Sequence, residues 1–259
     1  NNGSAFFDFA DVVVEDMTIT HAGTSAILDF SNDQGDIRVS NNTVASGASN
    51  PATWLVYLRT SGDVITDLTS IRFDGNTVTG GAGLYAKPIN GSPFTVYACN
   101  NTLTVDGQGI SLGTNTTERV YDIGAIYVCD NTVTKLSNNA GHGILIGRGI
   151  LGGLVQGNVV DVTAADASSE FAMVSKANGV TFLNNMLTGV SALSAKGAQG
   201  CVFMNNTALG TGVAAVRLYN DSDWGAGDGA KIISDCVFYN NIFEGGTSTS
   251  CINIEDIEA

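Results

Sequence analysis

The sequence predicts an all-β solenoid, in which the chain winds into stacked coils of three short strands each. A pattern of strand, bend and strand recurs nine times along the 259 residues, and a further short apolar segment accompanies each copy. The composition agrees with this, because 32 Gly against only 3 Pro favours many turns and short strands over long helices. No helical period fits the repeated apolar positions.

The repeat is anchored on an asparagine in eight of its nine copies. Typical copies read IRVSNNTVA, IYVCDNTVT and CVFMNNTAL, and the last asparagine of each is the anchor. With Met17 in the place of asparagine in the first copy, the anchors are Met17, Asn42, Asn76, Asn101, Asn131, Asn158, Asn185, Asn206 and Asn241. Their spacing varies from 21 to 35 residues, so we expect the length changes to lie in the connections.

Apolar residues occupy fixed positions on both sides of the anchor. Five residues before it stand Val12, Ile37, Ile71, Val96, Ile126, Gly153, Val180, Cys201 and Cys236. Three residues before it stand Val14, Val39, Phe73, Ala98, Val128, Val155, Phe182, Phe203 and Phe238. Two residues after it stand Ile19, Val44, Val78, Leu103, Val133, Val160, Leu187, Ala208 and Phe243. This period of two predicts one strand before the anchor, a sharp bend at it and a second strand after it.

A third short strand is predicted in each coil. Its copies read SAILDF, WLVYLR, GLYAK, GISLG, GILIG, AMVSK, ALSAK, AVRLY and CINIE. Stacking of the coils would place the anchor asparagines above one another, where their side-chain amides can hydrogen-bond along a ladder. Asparagine also tolerates the left-handed backbone of a tight bend, so we assign that conformation to the anchor as well.

With these features the chain resembles the right-handed parallel β-helix proteins of the pectate-lyase-like superfamily, over essentially all of residues 1–259. The resemblance implies a single-stranded right-handed parallel β-helix of about nine coils, forming one domain. The same architecture carries lyases, glycoside hydrolases, tailspikes and adhesins, so it leaves the activity open. Neither end shows a polar cap, and we expect a fragment of a longer chain or a module that stacks on itself or forms a homotrimer.

Charge and hydropathy narrow the classes of partner. The formal charge is −14, so the chain lacks the positive electrostatic field that nucleic-acid binding requires. No apolar stretch reaches the roughly 18 residues of a membrane span, so none is expected. We expect an extracellular protein, or one on a cell or virion surface, that engages a polysaccharide or another glycan.

A basic residue recurs on or just after the third strand, in an otherwise acidic chain. The cations are Arg59, Lys87, Arg148, Lys176, Lys196 and Arg217, and Tyr57, Tyr85 and Tyr219 lie close to the same line. Such a line would suit an acidic polysaccharide, because cations offset uronate charge and aromatic rings can stack on sugars. The alternative is a set of solvated strand ends that discourage aggregation.

The segment Gly141-His142-Gly143 resembles the corresponding segment of polygalacturonases. The resemblance implies catalytic roles for His142, for Lys176 in the place of a later basic segment, and for Asp122 in the place of an aspartate pair. Two of the three acidic positions of that family carry no carboxylate here, whereas an inverting hydrolase requires one carboxyl group as acid and another as base. The alternative is a histidine packed in the fold or in a loop.

A polysaccharide lyase would need fewer groups. Lys176, Lys196 and Arg217 fall on successive coils and could supply a base and a cation that neutralises the uronate. No cofactor is expected, except that Ca²⁺ could bind in the acidic loop through Asp221, Asp223 and Asp228. A plain acidic surface loop is the alternative to this metal site.

Two further patterns have a structural interpretation. Cys99 and Cys129 share one position of consecutive copies, and Cys201 and Cys236 share another. We expect these stacked thiols to act as small packed residues. A disulfide between neighbouring copies is the alternative. Thr-x-Thr pairs follow several anchors and resemble the surface of ice-binding β-solenoids, but the pattern is interrupted, which favours an ordinary strand surface.

Three function classes remain from the sequence. The first is a surface-exposed scaffold or adhesive module that engages a polysaccharide along one face without cleaving it, and the incomplete carboxylate set favours it. The second is a polysaccharide lyase or glycoside hydrolase acting on an acidic polysaccharide. The third is a purely structural unit of a fibre or virion.

Overall fold

A computed structural model describes the chain in eleven segments. These are residues 11–23, 25–30, 35–46, 53–58, 68–87, 93–113, 123–136, 141–164, 171–221, 232–246 and 250–255. The regular elements within these segments are all β-strands. Since the described segments contain no helix, they also contain none long and apolar enough to cross a membrane.

The described residues form 25 strands. The strands of the first four coils are β1 (Val12–Glu15), β2 (Thr18–His21), β3 (Leu28–Phe30), β4 (Gly35–Ser40), β5 (Thr43–Ser46), β6 (Trp54–Leu58), β7 (Leu68–Asp74), β8 (Thr77–Thr79), β9 (Ala82–Ala86), β10 (Thr95–Cys99), β11 (Thr102–Val105) and β12 (Ile110–Leu112). Those of the last five coils are β13 (Ala125–Cys129), β14 (Thr132–Lys135), β15 (Ile144–Ile146), β16 (Gly153–Gln156), β17 (Val159–Asp161), β18 (Phe171–Ser175), β19 (Val180–Leu183), β20 (Met186–Lys196), β21 (Val202–Met204), β22 (Thr207–Tyr219), β23 (Val237–Tyr239), β24 (Ile242–Gly245) and β25 (Ser250–Glu255).

Each strand pairs in parallel with the corresponding strand of the next coil. The first sheet has nine strands in the order β1-β4-β7-β10-β13-β16-β19-β21-β23. The second sheet runs β2-β5-β8-β11-β14-β17-β20-β22-β24, and the third runs β3-β6-β9-β12-β15-β18-β20-β22-β25. Strands β20 and β22 are long enough to belong to both of these, which joins them into one 16-stranded sheet. The predicted all-β parallel β-helix solenoid, with three strands in each coil, is confirmed.

The predicted apolar columns form the interior. The register places Val39, Phe73 and Ala98 opposite one another in successive coils, and each is fully buried. Farther along the same column, the rings of Phe182, Phe203 and Phe238 stack at 4.6 Å between centroids. Parallel stacking therefore brings identical positions of successive repeats into direct contact, and the core is continuous from coil to coil.

The anchor asparagines form a hydrogen-bonded ladder from Asn42 to Asn241. In one rung, Asn131 Nδ2 donates to Asn158 Oδ1 at 2.9 Å and to the carbonyl oxygen of Ala98 at 2.8 Å. Asn131 Oδ1 accepts from the backbone N–H of Asn101 at 3.0 Å and from its Nδ2 at 2.8 Å. The buried amide thus makes four hydrogen bonds, which satisfies its two donors and both acceptor positions.

The left-handed residue of each bend is not the anchor but the residue before it, which corrects our assignment. Nine residues with positive φ directly precede the anchors: Asp16, Asn41, Gly75, Asn100, Asp130, Gly157, Asn184, Asn205 and Asn240. All are Asp, Asn or Gly, the types that enter this region at least cost. Two adjacent residues therefore have different roles in each bend. The left-handed residue turns the backbone, and the anchor that follows it hydrogen-bonds to the neighbouring coils.

Candidate functional site

The outward positions of the third sheet carry most of the residues that we singled out. One column of this sheet runs through Tyr57, Tyr85, Ser111, Leu145, Val174, Ser194 and Arg217. In its middle coils Leu145 and Val174 are buried and form, with Phe171, an apolar cluster separate from the main core. Exposed parts of the column lie at its two ends, and a polar cluster lies beside its middle coils.

The polar cluster is built around the carboxylate of Asp221. Arg148 forms an ion pair with Asp221 Oδ2, and Lys176 Nζ lies 3.5 Å from the same oxygen. Lys196 Nζ lies 3.4 Å from Oδ1. Three cations predicted from the sequence thus meet at one carboxylate, which comes from the end of β22 and reaches the ends of coils earlier in the chain. The side chains of Asp221, Arg148 and Lys176 are 0%, 1% and 4% exposed, so this is an internal ionic cluster.

His142 lies beside this cluster and is held neutral. Burial, together with the positive charges of Lys176, Lys135 and Lys196, lowers the pKa of His142 from 6.5 to about 3. The backbone N–H of Phe171 donates to Nδ1 at 3.3 Å, which assigns the proton of the neutral ring to Nε2. At neutral pH the ring therefore lacks the second, acidic proton of an imidazolium ion, and its unprotonated nitrogen accepts a hydrogen bond from the backbone.

The C-terminal end of the column carries a group of cations and rings, which we call the Tyr219 patch and define as Lys196, Arg217 and Tyr219. Lys196 Nζ lies 5.4 Å and Arg217 Cζ 5.0 Å from the centre of the Tyr219 ring. Arg217 Nη2 also donates to Glu255 Oε2 at 2.8 Å. The side chains of Lys196 and Arg217 are 16% and 19% exposed, so unlike Lys176 they reach the surface.

The N-terminal end carries a second group, the Tyr85 patch, which consists of Trp54, Tyr57, Tyr85 and Lys87. The rings of Tyr57 and Tyr85 stack with centroids 4.9 Å apart, and the Trp54 ring lies 5.0 Å from that of Tyr85. Lys87 Nζ lies 5.6 Å from the centre of the Tyr85 ring. Both ends of the column thus place ammonium or guanidinium groups against tyrosine rings.

The structure brings together some of the predicted metal and catalytic residues and leaves others untested. Arg59, Asp122, Asp223 and Asp228 lie outside the described residues. Asp221, predicted as a Ca²⁺ ligand, forms ion pairs with the three cations, and the Ca²⁺ site stays a prediction. Among the residues that the structure describes, no three His, Cys, Asp or Glu side chains group together in a way that could hold a metal ion.

Sequence reasoning missed Asp221 as a counter-ion and Lys135 as a neighbour of His142. Lys135 is 1% exposed and its Nζ donates to the carbonyl oxygen of Gly141 at 2.7 Å. The burial of Lys135 was predictable from the sequence. It follows the core position Val133 by two residues in the same strand, so its side chain also points into the interior. Asp221 lies two residues after the end of β22, and earlier coils carry cations at or just after the end of the corresponding strand, so this change of sign was visible in the sequence.

A surface of similar chemistry lies on the first sheet. Tyr97 and Tyr127 stack there with centroids 5.1 Å apart, and Arg72 Cζ lies 4.0 Å from the centre of the Tyr97 ring. This pair faces outward from strands β10 and β13, and Tyr127 is 39% exposed. It provides an internal comparison for the two patches of the third sheet.

Comparison of the chain with protein-family models, with curated proteins and with solved structures finds no match.

Proposed function

We propose that this protein is a β-helix module that binds an extended acidic polysaccharide along the outside of its third sheet, without cleaving it. The observation that carries the proposal is the recurrence of one arrangement, tyrosine rings beside cations, at both ends of a single column of that sheet. We infer further that it acts outside the cell or on the surface of a cell or virion, in the manner of an adhesin or tailspike.

The chemistry of the two patches fits a uronate polymer. A tyrosine ring offers a flat apolar face to the C–H side of a sugar, and its hydroxyl group can hydrogen-bond to the sugar's own hydroxyls. A neighbouring lysine or arginine can pair with a carboxylate or sulfate through a charge-assisted hydrogen bond. Because the whole chain carries a charge of −14, attraction for a polyanion has to be local, at these cations.

The separation of the patches favours a polymer over a single sugar. Tyr57 and Arg217 occupy the same column and are six coil steps apart. At about 4.8 Å per step they lie about 29 Å from each other along the helix axis. Only an extended ligand parallel to that axis contacts both ends, and contact at two places raises the overall affinity.

Two features favour binding over catalysis. His142 is neutral at pH 7 and its Nδ1 accepts a backbone hydrogen bond, so neither ring nitrogen is ready for acid or base chemistry. Lys176 and Arg148 are buried against Asp221, where a polymer at the surface does not reach them. On the third sheet, Lys196 and Arg217 of the Tyr219 patch do reach the surface.

A polysaccharide lyase of the pectate-lyase-like type is the second candidate. One observation favours it: Arg148, Lys176 and Lys196 converge beside His142, and cations of this kind could neutralise a uronate and accept its proton. For this activity, substrate would have to open the cluster and take the place of Asp221. A purely structural unit of a fibre or virion is the third candidate.

The experiment that separates these candidates is a panel of acidic and neutral polysaccharides, including polygalacturonate, alginate and dextran. Binding is measured by affinity electrophoresis, and cleavage by new reducing ends and by the ultraviolet absorbance of unsaturated uronates. We expect retardation by an acidic polymer with no new ends. New ends with absorbance would establish the lyase, and new ends alone a hydrolase. If the protein neither bound nor cleaved any polymer, the third candidate, a structural unit of a fibre or virion, would be favoured.

A pair of tyrosine variants tests the location. Tyr219→Ala is expected to weaken retardation several-fold, because the ring contacts both Lys196 and Arg217. Tyr239→Ala is the matched control, since Tyr239 is 65% exposed on the first sheet of the last coil. An equal effect of the two variants would contradict a site on the third sheet.

A further inference from the structure

The outside of the first sheet carries two cysteines in direct register, and their position is unrelated to the polysaccharide site. Cys99 at the end of β10 lies opposite Cys129 at the end of β13. Both are free and partly exposed, and both alternate with buried core residues of their strands, so their side chains point outward. Asp74 precedes them in the same column.

The two sulfurs already interact with each other. Hydrogen bonding between the two thiols lowers the pKa of Cys129 and raises that of Cys99. The Cys99 sulfur also lies 3.7 Å from the carbonyl oxygen of Tyr127. The register therefore holds two soft donor atoms side by side at the surface of the coil.

We propose that Cys99 and Cys129 form a two-thiolate site for a soft monovalent cation of the Cu(I) class, which binds between the two sulfurs while the two thiol protons are released to the solvent. Thiolates select such ions over hard cations. A metal that requires four ligands, such as Zn²⁺, does not fit, because among the described residues no three potential ligands group together. Cu(I) and Ag(I) accept two sulfur ligands.

The spacing of the coils favours an ion over a disulfide. Neighbouring strands lie about 4.8 Å apart, and parallel side chains in register keep about this separation at Cβ. A disulfide needs a Cβ–Cβ distance of roughly 3.5–4.5 Å, so it would have to pull the two coils together. An ion inserted between the sulfurs needs no such movement. The Asp74 carboxylate, which accepts from the backbone N–H of Cys99 at 2.9 Å, adds negative charge beside the ion.

The chain contains its own controls. Cys201 and Cys236 occupy another shared position of successive copies, but Cys201 is fully buried, with its sulfur 3.3 Å from the carbonyl oxygen of Ala177. An ion in solution does not reach that pair without opening the core. Cys251 is exposed and offers a single thiol. Only the pair on the first sheet combines access with two sulfurs.

The test uses the fully reduced full-length chain under anaerobic conditions. Cu(I) is supplied as its complex with the chromogenic chelator bicinchoninate, and its transfer to the protein is followed by absorbance. We expect one tight equivalent for the wild type, for Cys236→Ser and for Cys251→Ser. Cys99→Ser and Cys129→Ser should each lose it. No transfer to the wild type, or retention of the equivalent in both Cys99→Ser and Cys129→Ser, would overturn the proposal.

A second measurement does not depend on how the variants fold. One equivalent of Ag(I), which undergoes no redox change here, is added to the wild type before alkylation with iodoacetamide and peptide mass spectrometry. Cys99 and Cys129 should be protected together while Cys251 is alkylated. Protection of Cys251 with alkylation of the pair, or ready conversion of the pair to a disulfide by oxidised glutathione, would count against the site.

Discussion

The bend and the third sheet belong to the same coils but are built in opposite ways. At the bend, each coil from Asn42 to Asn241 repeats one amide, one left-handed residue and one set of hydrogen bonds. Along the outward column of the third sheet, successive coils place Tyr85, Ser111, Leu145 and Val174 at the same position. The first region is uniform because the asparagines of successive coils hydrogen-bond to one another. The second is free to vary.

This difference separates the positions that stabilise the coils from the positions that are candidates for binding. An asparagine inside the ladder hydrogen-bonds to residues of the coils on both sides, so a substitution affects three coils. Positions that face outward on the third sheet have no such partner, and there the chain has placed its ionic cluster and its two aromatic patches. Uniformity thus marks the fold, and departures from it mark candidate sites.

The largest expected effect is that of removing one rung. Asn131→Ala deletes four hydrogen bonds and leaves their buried partners on Asn101, Asn158 and Ala98 unsatisfied. We expect a loss of about 4 kcal/mol in the free energy of unfolding, measured by urea denaturation. The control is Thr132→Ala at the next, exposed position, which should change it by less than about 0.5 kcal/mol. Equal effects of the two variants would contradict the role of the ladder.

The next largest effect is expected in the ionic cluster. Asp221→Asn removes the shared partner of Arg148, Lys176 and Lys196 in a buried setting. The free energy of unfolding should fall by about 3 kcal/mol, because breaking a buried ion pair from one side leaves charge poorly compensated. Glu255→Gln is the control, since its pair with Arg217 is partly exposed and worth at most about 1 kcal/mol. If Asp221→Asn lowered the free energy of unfolding no more than Glu255→Gln does, the result would contradict a stabilising role of the ionic cluster.

The left-handed residues of the bend should have a smaller effect. Asp130→Ala places a Cβ-bearing residue without a stabilising polar side chain at φ 54°, and it should cost about 1–2 kcal/mol. Asp130→Gly should be nearly neutral, because glycine adopts this conformation freely and already does so at Gly75 and Gly157. Thermal unfolding of both variants checks this, and an alanine variant as stable as the glycine one would show that backbone conformation is not the constraint.

The smallest expected effect is a pH dependence due to His142. Its pKa is about 3 in the folded chain and 6.5 for an ordinary histidine, so between these values the unfolded state binds a proton that the folded state does not. Stability contributed by the neutral ring is therefore present above pH 6.5 and is lost as the pH falls towards 3. Between pH 7 and pH 6 the wild type should lose about 0.7 kcal/mol more of its free energy of unfolding than His142→Gln. Parallel pH profiles would contradict this.

Much of the fold could be predicted from the sequence, because each coil repeats the same local rules. The columns through Val39, Val44 and Asn42 were read from fixed offsets, and the structure places them in register. The left-handed position was assigned one residue too late, since Asn stands at both places in several copies and the sequence alone does not separate the two roles. A residue type that suits two adjacent positions is ambiguous until a backbone is available.

The candidate site was predictable only in its parts. The cations Arg148, Lys176 and Lys196 were identified because they recur near one strand, yet their common partner Asp221 was assigned to a metal. The register fixes which Cα atoms are neighbours but not how far a long side chain reaches across several coils. Contacts of this kind depend on non-repeating residues, for which a repeat-based analysis has no template.

The central claim is that the third sheet, and not another aromatic surface, binds the polysaccharide. The direct test compares two matched double variants, Tyr57→Ala/Tyr85→Ala on the third sheet and Tyr97→Ala/Tyr127→Ala on the first, by titration with the acidic polymer that retards the wild type. We predict that the first pair weakens binding at least tenfold and that the second leaves it within twofold. Equal affinities of the two variants, or a loss confined to the Tyr97/Tyr127 variant, would contradict the account.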